Sequence, residues 1–300
     1  MDLKRIRYFV TVAETLHFSR ASVLLGIAQP ALSQQIKMLE IELGVVLFNR
    51  DRRNVRLSEA GTIFLAEARL LLAQFERTKN VVERIRRAEI GRIAIGYAGS
   101  IAYSGILERS VRLLRGEAPE VEIVTHELDL GGQLARLAAG TIDIALTRLP
   151  IGKPATGLDV VAMCEEEVLV AMPVGHRLEA RHELAIASLE AENFVSTDLG
   201  EGLGFFFTQS EICRISGFEP RIMARSKHFA TLLSLVASGE GIALVPCSTR
   251  NLAFPGIIFR PIDVDHRSTI AAILRSEPGS PVVQRYIRIC ARVGEELDRG

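Results

Sequence analysis

Residues 18–44 constrain this chain more than any other stretch, because two helix starts, a tight turn and a polar helix edge fall within them. Ser19 has the side chain of an N-cap, and Ala21, Leu24 and Leu25 give an apolar stripe for a helix over 20–25. Gly26 supplies the left-handed residue that ends it. Gln29-Pro30 then opens a second helix, with proline at the first helical position, where its missing N–H costs nothing. Leu32, Ile36, Leu39 and Leu43 recur at helical spacing and form its buried face. Ala31, Ser33, Gln34 and Lys37 are left off that face. This pattern predicts a helix-turn-helix whose second helix enters the major groove N-terminus first, with Ser19, Gln29, Pro30 and Ala31 at the same edge. Gln34 and Gln29 carry amides that match adenine edges, and Ser33 and Lys37 suit phosphates. A plain helical hairpin with a solvated polar face would show the same turn.

The next residues favour the DNA reading. A short apolar run, Val45-Val46-Leu47-Phe48, leads into a polar turn holding Arg50, Arg52 and Arg53, and Val55-Arg56-Leu57 returns as a strand. That is a basic hairpin, a wing, whose Arg52 and Arg53 are placed to follow phosphates or enter the minor groove. The alternative is a solvated charged loop.

The residues that carry a family likeness are now in view. They are the run from Leu3 to Glu14 with Tyr8 and Phe9, then Phe18-Ser19-Arg20-Ala21-Ser22 and Gln29-Pro30-Ala31-Leu32-Ser33-Gln34-Gln35-Ile36. Leu39-Glu40, Leu43-Gly44, Leu47-Phe48-Asn49-Arg50 and Leu57-Ser58-Glu59-Ala60-Gly61 complete them. Together they resemble the winged-helix N-terminus of a LysR-type transcriptional regulator, densely over about sixty residues and more loosely through nearly the whole chain. The resemblance implies double-stranded promoter or operator DNA, a homodimer or homotetramer, a small-molecule effector and RNA polymerase as partners.

From Ser58 a helical pattern runs on with no proline before Pro119. Phe64, Ala68, Leu71, Phe75, Thr78, Val82 and Ile85 step alternately by four and three, a heptad seam with one polar interruption. One helix over 58–88 would run about 46 Å, long for a small domain and suited to a strut between two chains. A helix packed on its own chain is the other reading. In the resembled family this segment is the linker helix that pairs subunits.

Charge follows the same division. Residues 1–90 hold fifteen Lys and Arg against ten Asp and Glu, about +5; the remainder holds twenty-one against twenty-six, about −5, which gives the net zero. The longest uncharged stretch, 93–107, is broken by Gly96, Gly99 and Gly105 and is too short for a bilayer, and Glu14 interrupts any N-terminal signal. No membrane partner is expected. Cys164, Cys213, Cys247 and Cys290 are scattered without CxxC or zinc spacing, so they read as reduced thiols of a cytoplasmic protein with no metal site. Some members of the resembled family sense peroxide through two neighbouring cysteines; Cys213 has no near neighbour.

After Gly91 the period changes to α/β. Strands are expected over 93–97, 121–125 and 142–146, with helices over 105–114 and 133–139, a βαβαβ unit and therefore a parallel sheet. A second set follows: strands over 168–172, 194–196, 221–224 and 242–245, and helices over 205–215 and 229–237. A strand over 268–274 and a helix over 282–297 close the chain. The expected fold is α/β behind an all-α, winged-helix N-terminal domain and a long linker helix. The expected limits are 1–58 for DNA binding, 59–89 for the linker and 90–300 for effector binding, with lobe I at 90–161 and 267–300 and lobe II at 162–266. That swap of chain between lobes comes from the resemblance, whose effector domain looks like a periplasmic binding protein.

Open α/β sheets bind ligands at the C-terminal ends of their strands, which points to Ser100, Arg148 and Thr197. A hydroxyl, helix N–H groups and a guanidinium fork would suit a carboxylate. A helix cap, a surface ion pair and a loop turn are the plain alternatives. The resemblance to regulators sensing aromatic acids and their ring-cleavage products supports Ser100 and Arg148, while Leu130 stands where that branch often has threonine. Phe205, Phe206 and Phe207 lie near the same mouth, and Phe205 is the candidate to stack on a ring. Gly200-Glu201-Gly202-Leu203-Gly204 lacks phosphate-loop spacing, the six histidines show no HExxH, and no catalytic constellation emerges. The expected activity is sequence-specific regulation of transcription under control of an effector such as an aromatic or other carboxylic acid, without cofactor and not enzymatic. A nucleoid-type binder without a ligand and a cytoplasmic α/β enzyme are the competing readings.

Overall fold

The computed structural model describes residues 1–50, 55–152, 156–197, 204–277 and 279–299. They form two compact units, Met1–Arg84 and Ile85–Gly300. In the first, α1 (Leu3–Thr15), α2 (Phe18–Leu25) and α3 (Gln29–Leu43) pack around Phe9, Leu32, Ile36 and Leu39, all fully buried. The Phe9 ring lies 5.3 Å from Phe48 and 5.0 Å from Phe64, which joins the helices to the hairpin and to the helix that follows. The hairpin is antiparallel, β1 (Phe48–Arg50) against β2 (Val55–Leu57). Arg52 and Arg53 lie outside the described residues.

Local chemistry differs from expectation at α2. The helix starts two residues earlier, so His17, whose Nδ1 accepts from the Arg20 amide, holds the N-cap place given to Ser19. Ser19 sits exposed inside the first turn. Leu24 is 67% exposed: the inward stripe is Phe18, Ala21 and Ser22, with Leu25 partly buried against the same core, an i, i+3, i+4, i+7 face that leaves Leu24 outside. Gly26 ends the helix at φ 64, as its lack of a Cβ allows.

The long helix α4 (Glu59–Arg86) has 28 residues, about 42 Å, and stops short of Ala88, which takes φ +54. Ser58 caps it, its Oγ accepting from the Gly61 amide at 2.8 Å and donating to the Val46 carbonyl at 2.6 Å. A Cβ on Gly61 would sit 2.0 Å from the Leu47 carbonyl oxygen, so only glycine lets α4 approach the strand leading into the wing this closely. The heptad pattern splits in function: Phe64 and Ala68 pack into the core of their own unit, whereas Leu71, Val82 and Ile85 are exposed.

The second unit holds a twisted sheet whose order is β10 (Ile257–Pro261), β6 (Leu158–Pro173), β11 (Arg267–Arg275), β5 (Ile144–Arg148), β3 (Ile90–Tyr97), β4 (Glu120–Glu127), with β9 (Ala243–Pro246) also on β6. Strands β4, β3 and β5 are parallel, carried by α5 (Ile106–Glu117) and α6 (Leu130–Ala138), while β11 runs antiparallel to β5. With α9 (Pro281–Asp298) these make lobe I, cored by Ile93, Ile95, Leu114 and Tyr286. Lobe II gathers β7 (Asn193–Thr197) and its parallel neighbour β8 (Arg221–Ser226), with α7 (Gly204–Ile215), α8 (Phe229–Ala237), β9 and β10, around Phe194, Leu233 and Leu244. The sequence pattern does not show that β6 is one strand of 16 residues serving both lobes. Its first half pairs with β11, and its second half pairs with β9 and β10.

Candidate DNA-reading surface and effector crevice

The first turn of α3 presents Gln29, Pro30 and Ala31 to solvent, followed by Gln34 and Lys37, while its opposite face is sealed by Leu32, Ile36 and Leu39. Ser33 is half-buried, and Gln29 Nε2 donates to its Oγ at 3.1 Å. A residue missed from sequence braces this helix: Arg5 on α1 donates from Nε to Gln35 Oε1 at 3.1 Å and from Nη1 to Glu42 Oε2 at 2.9 Å. Fixing the rotation of α3 fixes which side chains point outward.

In the second unit, the ends of β3 and β5 bring Ser100 and Arg148 together, the former on a 3₁₀ turn over Gly99–Ile101. Arg148 is 3% exposed. Its Nε donates to Ser100 Oγ at 3.2 Å, its Nη1 to Ser268 Oγ at 3.1 Å, and its Nη2 to Ser248 Oγ of lobe II at 3.3 Å. Glu166, also buried, forms an ion pair with Nη1. Register explains the convergence: Ser268 lies opposite Glu166, and Arg148 lies opposite Ile270, two residues along the same strand. These are diagonal neighbours on one face. Arg148, expected to suit a carboxylate, thus already holds three serine hydroxyls and a carboxylate of its own chain.

Thr197 ends β7 with its Oγ1 buried and without a partner among the described residues, as are Thr249 Oγ1 beside Ser248 and the Tyr103 hydroxyl. Tyr103 spans the lobes, its carbonyl accepting from Asn251 Nδ2 at 2.9 Å and its ring standing edge-on to Phe229. Burial pushes its hydroxyl well above the ordinary tyrosine range, and the nearby Arg148 opposes that while Glu166 adds to it. A second tie between lobes runs from the Gly204 amide to the Pro150 carbonyl at 2.7 Å. Phe205 is corrected as a stacking candidate: it is fully buried in the lobe II core, 5.4 Å from Phe229, because the first turn of α7 faces inward. Phe207 is the exposed member of the run. Leu130 begins α6 and packs beside Ile142 and Leu137 on the far face of the lobe I sheet. Gly200, Glu201, Gly202 and Leu203 lie outside the described residues. Among the described residues no cluster of His, Cys, Asp or Glu is placed to hold a metal ion, and no helix is long and apolar enough to cross a membrane.

Two family models match the chain, the bacterial regulatory helix-turn-helix protein, lysR family, over residues 3–62 and the LysR substrate binding domain over residues 86–295. The transcriptional regulator XapR of Escherichia coli (strain K12) is 36% identical, covering 95% of this chain and 96% of that protein. CatR of Pseudomonas putida is 33% identical, covering 98% and 100%. Among solved structures, CbnR, a LysR family transcriptional regulator, aligns with a TM-score of 0.77 at 25% identity over 97% of this chain and 100% of its own. Full-length CbnR complexed with its target DNA aligns at 0.75, again at 25% identity, over 98% and 100%. The helix-turn-helix, the long helix and the two-lobed α/β unit thus all have counterparts in one architecture, and this chain belongs to the LysR family, as a DNA-binding transcriptional regulator with an effector-binding domain.

Proposed function

We propose that the exposed edge of α3 reads an operator, that α4 pairs two or four copies, and that a small molecule held between the two lobes sets the output at the promoter. Ser19, Gln29, Pro30, Ala31, Ser33, Gln34 and Lys37 form the reading edge, and Arg52 and Arg53 reach the flanking backbone or minor groove. The observation that carries this is the contrast across α3: one face fully buried, the other polar, small and open at its N-terminal turn. The proposed division is reading by 1–58, pairing by 59–89 and sensing by 90–300. Lobe I takes 90–161 and 267–300, and lobe II takes 162–266. The work is done in the cytoplasm, with RNA polymerase as the acting partner.

The effector site is the crevice at Ser100, Arg148 and Ser248, with Tyr103 beside them, at the C-terminal ends of β3 and β5, and Thr197 at the end of β7 is assigned to it by the same strand-end rule. For an acidic effector to reach Arg148 there, Glu166 has to leave it. Footprinting of wild type and Gln34→Ala on the promoter tests the reading surface. The variant is expected to lose affinity for its own operator by about 1–3 kcal/mol while keeping its grip on unrelated DNA. Equal loss on every sequence would remove Gln34 from base contact.

A further inference from the structure

The Arg148 guanidinium is engaged by its own chain: it donates to three serine hydroxyls and is ion-paired with the Glu166 carboxylate. Both charges are more than nine-tenths buried, so neither is screened by water. A carboxylate arriving from solution therefore competes with one tethered to the same fold, whose effective concentration is millimolar or more. Were it to win, Glu166 would stand beside it as a second buried anion without a counter-ion.

The polar atoms next to that pair suit uncharged groups. The serine hydroxyls that accept from Arg148 still hold a proton each; Thr249 Oγ1, next in the chain to Ser248, and the Tyr103 hydroxyl, within the electrostatic reach of Arg148 and Glu166, are buried without partners among the described residues. A hydroxyl, carbonyl or amide satisfies such atoms without adding charge.

We propose that Glu166 is a specificity-determining residue: as the resident counter-ion of Arg148 it bars carboxylates from the crevice and selects uncharged ligands bearing hydroxyl, carbonyl or amide groups. This rests on the reading of the crevice as the effector site.

The full-length protein, titrated calorimetrically with benzoate and with benzamide, provides the test. Glu166→Gln frees Arg148 and is expected to bind benzoate at least tenfold more tightly than wild type does. Wild type is expected to favour the amide over the acid. A folded Glu166→Gln that gains no benzoate affinity, or a wild type that prefers benzoate, overturns the proposal. Should Glu166→Gln not fold, Glu166→Asp, which withdraws the carboxylate by one methylene, is expected to gain at least threefold, and no gain there overturns it equally. Benzoate binding that survives Arg148→Gln in the Glu166→Gln background would place the anion elsewhere, and the crevice reading itself would then fall.

Discussion

Glu40 on α3 holds the start of the wing through Leu47: its Oε1 accepts the Leu47 amide at 2.9 Å, and the same oxygen accepts the Phe48 amide at 3.1 Å. The reading helix and the first wing strand are thus set by one carboxylate. Glu40→Ala leaves two backbone donors without it and is expected to cost about 2 kcal/mol, seen as a lower midpoint in urea. DNA affinity is expected to fall on all sequences together, the wing being proposed to contact the DNA backbone or minor groove.

Arg148 and Glu166 predict a non-additive stability pattern. Arg148→Met strands a buried carboxylate and is expected to cost about 3–5 kcal/mol, whereas Arg148→Met with Glu166→Leu should recover most of that loss. Chemical denaturation of the wild type, both single variants and the double variant measures it. A double variant that costs the sum of the two single variants would mean that the pair is not coupled.

The exposed half of the α4 seam, Leu71, Val82 and Ile85, is expected to lie in the subunit interface. Val82→Asp should shift the sedimentation of the protein toward the monomer at micromolar concentration and weaken operator binding through lost pairing. An unchanged sedimentation coefficient would assign pairing to another surface.

The thiols should be sluggish. Burial pushes Cys213 up to about 12, and Cys164 to about 12 with Glu166 adding to the effect. Since the thiolate is the reactive form, native protein at pH 8 is expected to resist iodoacetamide at both positions, with labelling appearing only on unfolding. Raised values also fix the sign of alkaline behaviour: the stability these thiols contribute is full below the ordinary value of 9.0 and is lost as pH climbs toward about 12. Rapid native labelling of Cys213 would contradict its enclosure.

Much of the fold was legible because helices announce themselves by period and punctuation. The helix expected over 229–237 is α8 to the residue, and Gly26 sits at the turn assigned to it. What escaped depends on tertiary placement. Glu165, Glu166 and Glu167 look like a solvated charge run, yet they continue the alternation of a strand, so the middle one turns inward while its neighbours stay exposed. That alternation was the available signal for the crevice carboxylate. Ser248 and Ser268 carried no signal at all, since a serine's partner is decided by which strands become neighbours. Ser19 was misjudged for a smaller reason: a histidine two positions earlier can accept the same kind of amide proton, and the helix took the earlier start.

Because β6 belongs to both lobes without interruption, a ladder of backbone bonds runs from one to the other along the same ribbon. Such a ribbon bends and twists readily but neither stretches nor slides, so the lobes are hung like covers on a common spine. A molecule settling between them is expected to act by changing the angle at which the covers stand.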